Sequence, residues 1–189
     1  MSDDKKVIFS MQKLSKTYPG ADKQVLKNIY FAFVHSCILY GVEIYANTSP
    51  THLDRLIKLN NKLLRILQNM PRCCHTKNLY SVYDTLNIPN LHKQQILMLV
   101  HKFVHHSDAL PDIFKNYFAF SNEIHRHNTR STCNIYKPRV NTAYGLRAVT
   151  FKGVSLWNKL PDNLKQITST SLFKQKLKCC LREEDRSNY

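Results

Sequence analysis

Residues 49–67 read SPTHLDRLIKLNNKLLRIL, and this stretch decides the fold class. Ser49 offers a hydroxyl acceptor at a cap position. Pro50 follows at the first helical position, where its missing N–H costs nothing. Behind them Leu53, Leu56, Ile57, Asn60, Leu63, Leu64 and Leu67 form one stripe at helical spacing. Arg55, Lys58, Lys62 and Arg65 fall largely off it, and Pro71 ends the segment. An amphipathic helix of this kind must bury its stripe against other elements.

The rest of the chain supplies such elements. Val7, Met11, Leu14 and Tyr18 keep helical spacing until Pro19-Gly20. Asp22 is placed to cap a helix running to about Ala46. Its Val25, Leu26, Ile29, Phe31, Phe33, Val34, Ile38 and Leu39 leave almost no polar face, which predicts cover on most sides. Asn78 is the expected cap of a short helix with Leu79, Val82, Tyr83 and Leu86. Pro89-Asn90 separates it from a longer helix, Leu91 to about His105, with Ile96, Leu97, Leu99, Val100, Phe103 and Val104 inward. Leu110-Pro111-Asp112 opens a short helix to about Phe120. Lys152 to Asn158 predicts one or two turns, and a last helix spans about Thr170 to Leu181. That helix brings Leu172, Phe173, Lys176, Leu177, Cys180 and Leu181 into register. From Ser121 to about Gly145 no period is sustained. The expectation there is a loop, or a short extended pair around Ile135–Val140. The predicted fold is mainly α: a compact bundle of about six to eight helices, with an irregular basic loop or short β-hairpin around 121–150.

Composition agrees. The chain has 189 residues, 43% of them hydrophobic, so a real core is expected. Only 4 are Gly, against a usual ~7%, which argues against a β-sandwich, a dinucleotide-binding Rossmann unit and a collagen-like chain. The apolar run Ile29–Val42 is 14 residues, short of the ~20 needed to span a bilayer, and reads as a core helix. The six cysteines include two adjacent pairs, a poor disulfide framework, and the start Met-Ser-Asp-Asp-Lys-Lys lacks a secretory pattern. An intracellular, reduced setting follows, in nucleus or cytoplasm, with no compact import signal to choose between them.

The formal charge is +15, and it is unevenly spread. Residues 121–182 carry 12 Lys and Arg against Glu123 and Asp162 alone, whereas residues 1–120 carry 15 basic against 8 acidic side chains. Such a surface points to a polyanion, nucleic acid first and an anionic membrane surface second. A basic solvated face with no such partner is the plainer alternative.

Catalytic patterns are missing. There is no Walker loop, Gly-rich dinucleotide loop, nucleophile elbow or His-Glu-x-x-His. Asp3-Asp4 and Glu183-Glu184-Asp185 read as solvated charge runs, so no paired carboxylates stand ready for two-metal chemistry. The candidate zinc ligands are Cys73-Cys74-His75, His125-x-His127 with Cys133, Cys179-Cys180, and His101 with His105. Adjacent cysteines point apart, and ordinary thiols and surface imidazoles are the better reading. No catalytic residue, metal or cofactor is expected.

A longer pattern runs through the second half. Ile124-His-Arg-His-Asn-Thr-Arg is followed by Lys137-Pro-Arg-Val-Asn-Thr-Ala-Tyr-Gly-Leu-Arg147 and Phe151-Lys-Gly-Val-Ser-Leu-Trp-Asn-Lys-Leu-Pro161. Leu164-Lys165, Ser169 and Ser171-Leu-Phe-Lys-Gln-Lys-Leu-Lys178 complete it. Upstream stand Tyr40-Gly-Val-Glu-Ile-Tyr-Ala-Asn-Thr48, Leu56 through Leu64-Arg65-Ile66, and Leu110-Pro111 with Phe114. Together these resemble, in order, the region downstream of the polymerase core in reverse transcriptases of non-LTR (LINE-type) retrotransposons, from about residue 25 to 181. Tyr45 stands where that family usually has Trp, and Asn61 where Gln is common. The Phe/Tyr-x-Asp-Asp motif of the palm and the endonuclease have no counterpart.

The resemblance implies a non-catalytic C-terminal fragment of an RNA-directed DNA polymerase. It implies an N-terminal helix and linker at 1–21, a thumb-like bundle at 22–120, and a basic connector with a C-terminal helix at 121–189, cooperative with the bundle. The implied partners are RNA or RNA–DNA hybrid, gripped through phosphates without base readout, and the missing palm. No membrane and no small-molecule substrate is implied. The candidate phosphate contacts are Arg126, Arg130, Lys137, Arg139, Arg147 and Lys152. Trp157, Leu160 and Phe173 are read as core. A repurposed helical interaction protein with inherited charge is the alternative.

Overall fold

The computed structural model describes residues 23–124 and 134–187, with side chains described through Glu184. The helix expected around Val7–Tyr18 lies outside them. The chain is mainly α-helical. Among the described residues the only β pairing is an isolated antiparallel bridge, Phe120 with Ile135, where a short hairpin was one expectation. Two units can be described. One takes in residues 23–42 and Thr48–Ile88, the other Glu43–Asn47 and the described residues from Pro89 onward.

The first unit begins with α1 (Lys23–Ile29), a π-helical turn (Tyr30–His35) and α2 (Ser36–Leu39). Gly41, at φ +67°, then breaks the run, a backbone state that glycine enters without steric cost. The predicted all-round cover is not found. Tyr30, Val34 and Ile38 are buried at four-residue intervals, while Phe33 is 67% and Tyr40 87% exposed. A regular α-helix drifts ~40° per four residues. The widened turn offsets that drift, so the fully buried stripe stays narrow; Leu26, Ile29, Phe31 and Leu39 are half-buried beside it, and Val25 and Phe33 are exposed.

The next helix, α4 (Pro50–Leu67), follows the short α3 (Val42–Tyr45). It buries Asn60, Leu63, Leu64 and Leu67 as the stripe predicts. Its Ser49 hydroxyl makes no capping hydrogen bond; the Ser49 carbonyl instead accepts from the His52 and Leu53 N–H groups. The helix stops before Pro71 by a Schellman motif. Asn69 is left-handed (φ 51°), Met70 N–H bonds the Arg65 carbonyl at 2.9 Å, and Asn69 N–H bonds that of Ile66 at 3.2 Å. The same device ends α5 (Thr76–Val82), with Asp84 at φ 53° and Thr85 N–H on the Tyr80 carbonyl at 3.0 Å. The cap of α5 is His75, whose Nδ1 accepts from Lys77 N–H at 3.3 Å, and not Asn78.

Asn60 ties this unit together. Tyr30 donates its hydroxyl to Asn60 Oδ1 at 3.1 Å, Asn60 Nδ2 donates to the Tyr80 oxygen at 3.1 Å, and Tyr80 donates to Asn61 Oδ1 at 2.6 Å. Burial pushes the phenols of Tyr80 and Tyr83 up to about 12 and that of Tyr30 higher, so they remain donors at neutral pH. Asn60→Leu should therefore cost about 1–3 kcal/mol, because the Tyr30 hydroxyl is left buried without its acceptor. Adding Tyr30→Phe should recover part of the loss in urea titrations. No recovery would remove the network from the account of stability.

The second unit is built on α6 (Ile88–His105) and α11 (Thr170–Ser187). Pro89 lies inside the first turn of α6 and does not precede the helix, as its fixed φ and missing N–H allow. Leu91, Ile96, Leu97, Val100 and Phe103 are buried, and so, unexpectedly, are Asn90, His92, Gln94 and His101. Asn90 Nδ2 donates to the Leu181 carbonyl (3.2 Å) and Gln94 Nε2 to that of Lys174 (3.3 Å). Partners descend as α6 ascends, so the two helices run antiparallel. Phe173, Leu177 and Leu181 are buried between them, whereas Leu172 is 45% exposed, outside the stripe assigned to it.

Between these helices in sequence come α7 (Asp112–Lys115), α8 (Ser121–Ile124), α9 (Val149–Lys159) and α10 (Asp162–Lys165). Helix α9 approaches α6 at Gly153. A Cβ there would lie 3.0 Å from Val100 and 3.2 Å from Ile96 side-chain carbons. Trp157 sits edge-on to His101 and His105 and 5.9 Å from Phe173, in the core position expected of it. The strap after α10 is held by three imidazoles. His105, His101 and His106 meet the carbonyls of Lys165, Ile167 and Thr168 at 2.7–2.8 Å. A carbonyl only accepts, so each Nε2 carries the proton.

Candidate nucleic-acid interface

Of the expected phosphate contacts, Arg126 and Arg130 lie outside the described residues, as do His125, His127 and Cys133. Lys137, Arg139 and Arg147 come from one loop of the second unit that is fixed at both ends. At its start Ile135 is buried. Tyr136 N–H bonds the Ala119 carbonyl at 2.8 Å, Ser121 N–H bonds that of Asn134 at 3.0 Å, and Asn158 Nδ2 bonds that of Ile135 at 3.0 Å. At its end a 3-10 turn, Gly145–Arg147, leads into α9. The Thr142 hydroxyl accepts from Gly145 N–H at 3.1 Å and its carbonyl from Leu146 N–H at 3.1 Å. Gly145 packs directly against the Val140 side chain, leaving no room for a Cβ.

This frame turns cations outward. Lys137, Arg139 and Arg147 are exposed, and none has an acidic side chain in ion-pair range among the described residues. The Lys137 ammonium lies 4.5 Å from the centroid of the Phe151 ring, a cation–π arrangement that orients the side chain. No carboxylate occurs in the sequence between Glu123 and Asp162.

Lys152 stands apart from that group. It is half-buried and donates to His92 Nδ1 at 3.3 Å. Burial, then the nearby Lys93 charge, lowers its pKa; burial and Lys152 itself push that of His92 down to about 4. A lysine so engaged serves the packing of α9 on α6. The basic face of α4 offers Arg55 and Lys62 to solvent, while Lys58 pairs with Asp54 and Arg65 donates to the Cys74 carbonyl at 3.2 Å.

Sequence reading assigned no role to Tyr144, which is 85% exposed at the start of the turn that closes the same loop. Its signal was an aromatic side chain set between Arg139 and Arg147 and followed by Gly145. His92, Gln94 and Asn90 were also missed, since polar residues within an apolar helix carry no mark of burial. Among the described residues no cluster of three or more His, Cys, Asp or Glu is arranged to hold a metal ion. No helix among them is long and apolar enough to cross a membrane. Protein-family models, curated proteins and solved structures give no match to this chain.

Proposed function

We propose that the chain is a non-catalytic, thumb-and-connector-like piece of a non-LTR retrotransposon reverse transcriptase that binds RNA or an RNA–DNA template-primer through phosphate contacts. The observation that carries this is the fixed loop presenting Lys137, Arg139 and Arg147 to solvent without acidic neighbours. Counterion release rewards such a surface for any phosphate backbone. The ordered sequence resemblance supports the choice of template-primer, with the palm as a further partner and the nucleus or cytoplasm as the setting. Nucleotide transfer would belong to that palm.

A salt titration of binding to single-stranded RNA, RNA–DNA hybrid and duplex DNA tests the reading. Binding should saturate and weaken steeply with salt. Exchanging Lys137, Arg139 and Arg147 for Gln should lower the log–log slope by roughly 0.7–0.9 for each phosphate no longer neutralised. Flat, weak binding of all three by folded protein would defeat it. The second reading, a repurposed interaction protein, would then take over, supported by Phe33 and Tyr40 at 67% and 87% exposure on the first unit.

A further inference from the structure

We infer that Tyr144 is a stacking platform for an unpaired base, so the loop takes single-stranded nucleic acid in preference to duplex. The inference rests on the nucleic-acid reading above and names the form of the ligand.

Three observations lead there. Tyr144 is 85% exposed, whereas Tyr136 earlier in the loop and Phe151 in α9 are partly covered and Phe151 has Lys137 over its face. The backbone beneath Tyr144 is held on both sides. Its own carbonyl accepts from Arg147 N–H at 3.0 Å, Gly145 is locked by Thr142, and Ala148 N–H closes the turn on the Gly145 carbonyl at 3.0 Å. The ring is thus presented on a fixed turn, with little ordering left to be lost on binding. Finally, exposed Arg139 and Arg147 precede and follow it in a stretch without carboxylates.

An exposed aromatic side chain flanked in sequence by exposed cations suits a single strand, which offers both bases and phosphates. Stacking accepts any base, because each has a π-face. In a duplex both faces of an internal base are already stacked, so Tyr144 has nothing to receive there. Leu146, 49% exposed, adds apolar area beside the ring's turn.

The test uses the full chain and four ligands of equal length: single-stranded RNA, single-stranded DNA, an RNA–DNA hybrid and an abasic phosphodiester. Wild type, Tyr144→Phe and Tyr144→Ala are titrated over a range of salt. Tyr144→Ala should weaken binding of the single strands by roughly 5- to 100-fold, leave the salt slope unchanged, and leave the abasic ligand unaffected. Tyr144→Phe should stay within about twofold of wild type, since the π-face is kept. RNA against DNA then shows which strand is favoured.

Wild-type binding that saturates and depends on salt, with Tyr144→Ala equal to wild type on every ligand, overturns this inference and leaves the phosphate reading standing. A loss that is the same on the abasic ligand or on the hybrid also overturns it, as does wild-type binding of the hybrid as tight as that of the single strands. Absence of salt-dependent binding by wild type overturns both readings. Circular dichroism of each variant confirms the helical content, which an 85% exposed side chain should leave unchanged.

Discussion

Phe173→Ala is expected to cost about 3–5 kcal/mol of folding stability, a large share of what holds a domain of this size together. The ring is fully buried and stacks on His101, with centroids 4.2 Å apart and planes 18° from parallel. Its removal forfeits the transfer energy of a whole aromatic side chain and opens a cavity between α6 and α11. His101 would lose its stacking partner at the same time, with its Nε2 hydrogen bond to the strap dependent on that packing. Urea unfolding followed by circular dichroism and by Trp157 fluorescence measures the cost; Trp157 is the only tryptophan and lies 5.9 Å from the ring. Leu172→Ala is the control. At 45% exposure it should change stability by no more than about 0.5 kcal/mol. Equal costs at the two positions would show that the helix is turned differently.

Acid should weaken the fold by about 3 kcal/mol between pH 7 and pH 4 through His92 alone. An ordinary imidazole titrates near 6.5, and burial with the Lys152 ammonium pushes this one down to about 4. Above 6.5 the ring is neutral in both the folded and the unfolded chain. As pH falls from 6.5 to 4 the unfolded chain takes up a proton that the folded chain refuses, so stability drops. Below 4 both are protonated and the slope ends. His101, lowered first by burial and further by His105 and His106, acts in the same direction. Each added proton also joins a chain already at +15. Urea midpoints at about pH 7.5, 6, 5 and 4.5 should fall in that order, and His92→Gln should flatten the series. A midpoint unchanged between the two ends of that range would refute the assignment.

Much of the helical layout was legible from spacing. The C-terminal half of the α4 stripe, Asn60 to Leu67, is buried as read, while Leu53, Leu56 and Ile57 are half-buried. The misplaced features depend on what packs alongside or on a local backbone state that residue type does not announce. Leu172 and Phe173 are neighbours in one apolar register, and only the position of α6 decides which is buried. Phe33 and Val34 differ for a similar reason, since the π-helical turn sets the face. The Schellman ends at Asn69 and Asp84 were hidden because neither is glycine, and the eye goes to Pro71 instead. Within the candidate interface the cations of the loop were legible as charge. The withdrawal of Lys152 toward His92 was not, since it depends on a side chain far away in sequence.

The widened turn at Tyr30–His35 has a consequence for how this sequence can change over time. It holds Tyr30 and Val34 in line with Ile38 at its present length. Inserting one residue there would swing Ile38 and everything after it in the helix by about 100°, whereas a deletion lets the turn tighten to a regular α-helix that keeps Ile38 within ~20° of Tyr30. Phe33 could be exchanged for most side chains at little cost, because it faces water. The segment is therefore tolerant of spelling and intolerant of added length: its history should be rich in substitutions and poor in insertions.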